Sequence, residues 1–145
     1  MRVLLQRVTR AEVRVGGEVV GAIGCGLVAL VGVGNGDTED VARELAAKTV
    51  RLRIFADEAG RTNRSVHDVD GAVLAISQFT LYADTRKGRR PSFLDAAAPE
   101  VADARYRAFC DAIESDGISV ARGIFGAAME VELVNDGPMT IWLEA

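Results

Sequence analysis

The chain has 145 residues, 49% of them apolar and 26% charged, with a net charge of −4. That length fits one domain over residues 1–145, able to bury about 68–70% of its unfolded surface without disulfide or metal support. The acidic balance excludes a general nucleic-acid coat, which would carry a basic domain. No run reaches the roughly 18 apolar residues of a membrane span. The opening residues Met1–Arg7 lack the apolar core of a signal peptide. Cys25 and Cys110 read as free, buried thiols of a reducing compartment, and the expected location is the cytoplasm.

In chain order, residues 2–8 are apolar-rich and strand-like. Arg14–Val19 reads as a hairpin around Gly16-Gly17, which supply positive φ angles. Gly26–Val33 is apolar on both faces, as a central strand covered on both sides would be; its glycines could also mark close approach to another chain. Asp37-Thr38-Glu39-Asp40 begins a helix, with acids at its positive end. Val41, Leu45, the stem of Lys48 and Leu52 then give the apolar stripe. Ile54-Phe55 reads as a short strand, and the polar stretch from Asp57 to Asp70 as a loop or hairpin excursion.

Ala72–Ile76 reads as a buried strand that ends in Ser77. Pro99-Glu100 opens a second helix, with proline in its first turn. Its expected stripe is Val101, Ala104, Ala108, Phe109, Ala112 and Ile113, and Gly117 ends it. Ala127–Val134 and Met139–Leu143 are strand-like, separated by turn chemistry at Asn135-Asp136-Gly137-Pro138. Six to eight strands and two helices, with strands adjacent in sequence at both ends, predict an α+β fold. We expect mostly antiparallel sheets forming a barrel-like roll.

The inventory of catalytic groups is thin. His67 is the only histidine and lies in the polar excursion, where exposure to solvent explains it. One histidine and two distant cysteines make no zinc set, so no metal and no cofactor is expected. No Gly-x-Ser-x-Gly elbow is present. Gly32-Val33-Gly34-Asn35-Gly36 looks like a phosphate loop but lacks the dinucleotide spacing, and a strand-to-helix turn is its expected role.

The richest stretch is Ser77–Ser92. The buried strand delivers Ser77, Gln78 and Thr80, grouped around Phe79, to its end. Four of the five residues 86–90 are then cationic: Arg86, Lys87, Arg89 and Arg90. Polar groups on a rigid strand end, beside a basic loop, suit an anionic ligand, while a solvated charged loop is the plain alternative. Ser77 and Thr80 have no neighbouring base to activate them as nucleophiles. Any catalysis here would rest on preorganised donors.

Ser77-Gln78-Phe79-Thr80-Leu81, followed more than fifty residues later by Asn135-Asp136-Gly137-Pro138-Met139-Thr140, resembles the paired motifs of the D-aminoacyl-tRNA deacylases, formerly called D-tyrosyl-tRNA deacylases. The likeness spans the chain, taking in Met1–Val8, Gly24–Leu27 and Lys87–Phe93. Met139 departs from the family, which more often has valine there; the expected consequence is a reshaped pocket wall.

The resemblance implies a homodimer that uses no metal or cofactor. Its substrate would be the 3′ acceptor end of aminoacyl-tRNA, and it would hydrolyse the ester of a D-amino acid or glycine. It implies a cis Gly137-Pro138 bond, in a loop reaching across the interface into the partner's active site to exclude L side chains. Backbone around Ser77, Gln78, Phe79 and Thr80 would bind the ester carbonyl, with the terminal ribose hydroxyl assisting the water; Thr80 as a covalent nucleophile is the competing assignment. Asn135, Gly137, Pro138, Met139, Thr140 and Arg7 would form the substrate side, with Arg7 bracing the loop. Arg86, Lys87, Arg89 and Arg90 would meet tRNA phosphates. Two rival readings are a noncatalytic RNA- or nucleotide-binding module on the same basic loop, and a structural dimer without ligand.

Overall fold

The computed structural model describes all of residues 1–145. Strand β1 (Arg2–Val15) is its hub. On one edge its first half pairs antiparallel with β3 (Gly26–Gly32), and its second half with β2 (Glu18–Ile23) through the Gly16-Gly17 hairpin. The other edge carries β8 (Glu130–Glu144) along almost its full length. Beyond β3 come β6 (Ala72–Ser77) and β7 (Val120–Arg122), each parallel to its predecessor.

Parallel neighbours require a crossover. Helices α1 (Glu39–Arg51) and α2 (Pro99–Ser115) supply the two crossovers, from β3 to β6 and from β6 to β7. The sheet is therefore mixed rather than mostly antiparallel, although the α+β roll with two helices stands. β2 returns beside β6 and β7, so the sheet nearly closes on itself. The excursion after α1 is a small hairpin of β4 (Phe55–Ala56) and β5 (Thr62–Arg64). No helix is long and apolar enough to cross a membrane.

The two-sided apolarity of the central strands has a direct cause. Leu27, Ala29 and Val31, with Val73 and Ala75, face the helices and join the main core. The alternate residues Val28, Leu74 and Ile76 face the barrel interior with Val8, Ala11 and Val13. This is the period-two geometry of a strand covered on both faces.

The helix stripes hold in part: Leu45, Phe109 and Ile113 are buried and Val41, Leu52, Ala108 and Ala112 pack against the core, but Lys48, Val101 and Ala104 are exposed. Helix α1 buries Ala42, Leu45, Ala46, Thr49 and Val50, while Lys48 is exposed. Helix α2 buries Ala102, Tyr106, Phe109, Cys110 and Ile113, leaving Val101 exposed. Small alanines against a neighbouring helix, and Tyr106 donating its hydroxyl to the Ala75 carbonyl at 2.9 Å, define the buried faces better than bulk hydrophobicity does.

Two further expectations change. Cys110 is buried, and that burial pushes its thiol up to about 11; Cys25, however, is exposed in the bend between β2 and β3. The stretch 127–143 is not two strands around a turn. Glu130–Glu144 is one strand with an irregularity: Gln6 pairs Thr140 and Val8 pairs Asn135, so residues 136–139 stand opposite Arg7 alone. The excursion stays in the sheet because Arg7 and Asn135 supply the hydrogen bonds that the ladder lacks there.

Candidate active site

Ser77 ends β6 by pairing with Val31. The chain then turns into a 3-10 turn, Phe79–Tyr82. The Gln78 amide N–H donates to the Val31 carbonyl at 2.7 Å, and its carbonyl accepts from Leu81 N–H at 3.2 Å. Gln78 is thereby fixed, and its side-chain amide donates to Thr80 Oγ1. The N–H groups of Phe79 and Thr80 open the turn, where helical geometry provides no internal acceptor. Of the Ser77–Thr80 group, the amide of Gln78 is thus already committed, and those of Phe79 and Thr80 are the two the turn leaves free.

Ser77 and Gln78 form the polar end of a cavity of about 560 Å³, which Phe79 also lines. Its other walls are apolar: Val31 and Val33 from the end of β3, Phe93 and Ala97 before α2, and Phe125 to Met129 between β7 and β8. Phe79 meets Phe93 edge-on, with ring centroids 5.0 Å apart. The wall from Phe125 to Met129 is absent from the expected site, because apolar loop residues carry no periodic signal.

The basic loop is pinned at its base. Asp84 and Ser92 exchange backbone hydrogen bonds of 2.8 and 2.9 Å. Arg86 folds back on Asp84, with hydrogen bonds of 2.9 and 2.8 Å. That side-chain pairing holds the Asp84 carboxyl down to about 2. Lys87, Arg89 and Arg90 are exposed and make no ion pair. The free cations of this loop are therefore three, where the sequence suggested four.

The Gly-Pro segment lies elsewhere. The Gly137–Pro138 peptide is cis, and Gly137 has φ +123°. Arg7 donates from Nε to the Asp136 carbonyl at 3.1 Å and from Nη1 to the Ile54 carbonyl. Its Nε also lies 3.0 Å from the Asp136 carboxylate. Asn135 Nδ2 donates to the carbonyls of Arg7 and Met139, both at 3.0 Å, closing the excursion. Thr140 Oγ1 accepts from Gln6 at 3.2 Å. Met139 packs against the main core and lines no part of the cavity.

Ser77 pairs Val31, and Val31 pairs Val3, which is four residues along β1 from Arg7. At about 3.3 Å per residue, the excursion sits about 13 Å along the strands from Ser77, and on the far side of β1. Within one chain the two groups of predicted residues stay apart. No three His, Cys, Asp or Glu side chains converge in a way that could hold a metal ion.

The structure thus combines an α+β roll, an apolar cavity edged by Ser77, Gln78 and Phe79, and a basic loop that follows them closely in the chain. Residues 4–144 match the family model described as D-Tyr-tRNA(Tyr) deacylase. The chain is 58% identical over 145 residues to the D-aminoacyl-tRNA deacylase of Roseiflexus castenholzii, covering 100% of this chain and 92% of that protein. It is 56% identical to that of Paracoccus denitrificans, covering 100% and 97%. A solved structure of the c-Myc DNA unwinding element binding protein superposes with a TM-score of 0.93 at 40% identity, covering 100% of this chain and 99% of the other. The chain belongs to the D-Tyr-tRNA(Tyr) deacylase family.

Proposed function

We propose that the protein hydrolyses the ester between a D-amino acid and the terminal ribose of tRNA, releasing the free amino acid and tRNA, and so proofreads chirality in translation. Glycine mischarged on tRNA is a second substrate, because it lacks the side chain by which the site rejects L-amino acids. Family membership over almost the whole chain supports the reaction class. The observation that carries the chemistry is the pair of amides at Phe79 and Thr80, opening the 3-10 turn beside the cavity.

Water adds to the ester carbonyl, and the carbonyl oxygen takes the negative charge. Two positioned amides stabilise that charge without reorganising, the largest single contribution in many acyl transfers. The C–O bond to ribose then breaks, and the ribose oxygen leaves with a proton. The neighbouring ribose hydroxyl orients the water and passes protons, which accounts for a site with no histidine. Thr80 is exposed and takes a hydrogen bond from the Gln78 side chain, with no base beside it to make it a nucleophile.

The separation of about 13 Å along the strands between Ser77 and the Gly137-Pro138 excursion supports a homodimer in which each excursion serves the partner's cavity. A main-chain wall discriminates enantiomers well, because the two carry identical groups and only a clash separates them. Lys87, Arg89 and Arg90 hold acceptor-end phosphates.

The 40%-identical structure described as a DNA unwinding element binding protein favours a second reading, a nucleic-acid-binding module that uses the same loop without turnover. Incubation with D-Tyr-tRNA and L-Tyr-tRNA decides between them. Release of D-tyrosine alone supports the deacylase, and binding without release supports the module.

A further inference from the structure

The 3-10 turn that carries Phe79 and Thr80 pairs with no strand, yet it is held at four points that the proposed chemistry does not use. Tyr82 closes the turn and lays its ring over Gly34, where a Cβ would come within 2.6 Å of the ring and its hydroxyl. The Arg2 guanidinium stands over the same ring, 4.3 Å from its centroid. Arg2 also donates to the Leu81 carbonyl at 3.0 Å. The Tyr82 hydroxyl donates to Asp37 Oδ2 at 3.4 Å.

Asp37 anchors the other end of this brace. Its Oδ2 accepts the Gly34 N–H at 2.6 Å, and its Oδ1 accepts the Met1 ammonium at 2.5 Å. The Met1 residue is only 1% exposed. Capping of α1 does not explain this carboxylate, because Thr38 is the N-cap and its Oγ accepts the Val41 N–H. Burial, and next the charge of Asp37, push the Tyr82 phenol up to about 12, so it remains a donor throughout the neutral range.

We infer that Asp37 and Tyr82 are positioning residues for the ester hydrolysis: together they set where the 3-10 turn holds the Phe79 and Thr80 amides beside the cavity. This role rests on the reading of those two amides as the donors to the ester oxygen. Neither side chain lines the cavity, so substrate binding does not depend on them directly. Displacing preorganised donors by about 1 Å lowers the chemical step on the order of 10²-fold.

The test is single-turnover deacylation of D-Tyr-tRNA over a range of enzyme concentrations, for the wild type, Asp37→Asn, Tyr82→Phe and the double variant. Thermal unfolding is measured alongside. The expected result is a rate at saturation lowered roughly 10–100-fold in Asp37→Asn, with half-saturation changed less than about threefold. Tyr82→Phe, which keeps the ring, should slow the reaction less. The double variant should be no slower than Asp37→Asn, because residues acting through one interaction are not additive. If Asp37→Asn does not fold, Tyr82→Phe decides alone. Folded variants at the wild-type rate, losses that multiply independently, or a loss confined to half-saturation would each overturn the brace. A folded wild type that binds D-Tyr-tRNA without hydrolysing it would overturn the deacylase reading itself, and the brace with it.

Discussion

Arg7 fills the space that a side chain at position 137 would need: a Cβ on Gly137 would lie 2.5 Å from Arg7 Nη2. Gly137 also sits at φ +123°, a region that L residues rarely adopt. The φ angle selects glycine at this position, and the Arg7 guanidinium, held by the Asp136 and Ile54 carbonyls, packs against the main chain there.

From this packing we expect Arg7→Ala to destabilise the fold by about 1–3 kcal/mol, the cost of leaving acceptors unpaired. The Asp136 and Ile54 carbonyls would have no donor in its place. Denaturant midpoints measure this. The same variant should lower the D/L ratio of deacylation rates, since the excursion is no longer braced. An unchanged ratio in a folded Arg7→Ala variant would mean that the brace is structural only.

The basic loop makes a prediction with a sign for each residue. Neutralising Arg89 or Arg90 to glutamine removes one exposed cation, and the slope of log K for tRNA against log salt should become shallower by roughly 0.7–0.9 for each phosphate the loop then fails to neutralise. Asp84→Asn should do the reverse, because it releases Arg86 from its carboxylate partner. Equilibrium binding at several salt concentrations reads both, and an unaltered slope in all three variants would remove the loop from the tRNA interface.

Acid should release Arg86 in the same way. The folded Asp84 carboxyl lies at about 2, below its ordinary value of 3.8. A depressed carboxylate contributes stability above its unfolded pKa and loses it as the pH falls through the folded value. The Asp84–Arg86 pair should therefore persist from neutrality to about pH 4 and disappear towards pH 2. NMR titration of the Asp84 side chain would show this, and a midpoint near 3.8 would contradict it.

Ser77→Ala and Thr80→Ala should each leave substantial turnover, because the proposed donors are main-chain amides. Removing an activated nucleophile can lower kcat by about 10⁶-fold. A loss of that size in either variant, or an aminoacyl-enzyme trapped in a single turnover, would restore that hydroxyl as the nucleophile.

Prolonged chelation should leave the rate unaltered, since no three metal-binding side chains converge. Loss of hydrolysis in EDTA, restored by a divalent ion, would contradict a mechanism built on amide donors.

Much of the fold is legible in the residues, for physical reasons that also mark the limit. The unbroken apolar runs in Leu27–Val31 and Val73–Ile76 announce strands buried on both faces, and the Gly16-Gly17 hairpin forms where its φ angles require. Hydropathy finds Leu45, Phe109 and Ile113 but misses Ala42, Ala46 and Ala102, which count little on such a scale yet are what fits between packed helices. The parallel pairings are hidden because crossover order is a tertiary property. Asn135–Pro138 has the composition of a turn, and only its register against Arg7 makes it an excursion within one strand. The support of the 3-10 turn at Phe79–Tyr82 is hidden too: Met1, Arg2, Asp37 and Tyr82 are spread along the chain and meet only in the fold.

The central claim is enantiomer-selective ester hydrolysis, and the most direct measurement is the rate of deacylation of matched D-Tyr-tRNA and L-Tyr-tRNA by the purified protein. We predict rapid release of D-tyrosine and an L rate no faster than spontaneous hydrolysis. Equal rates for the two, or no release of D-tyrosine above the uncatalysed reaction, would contradict it.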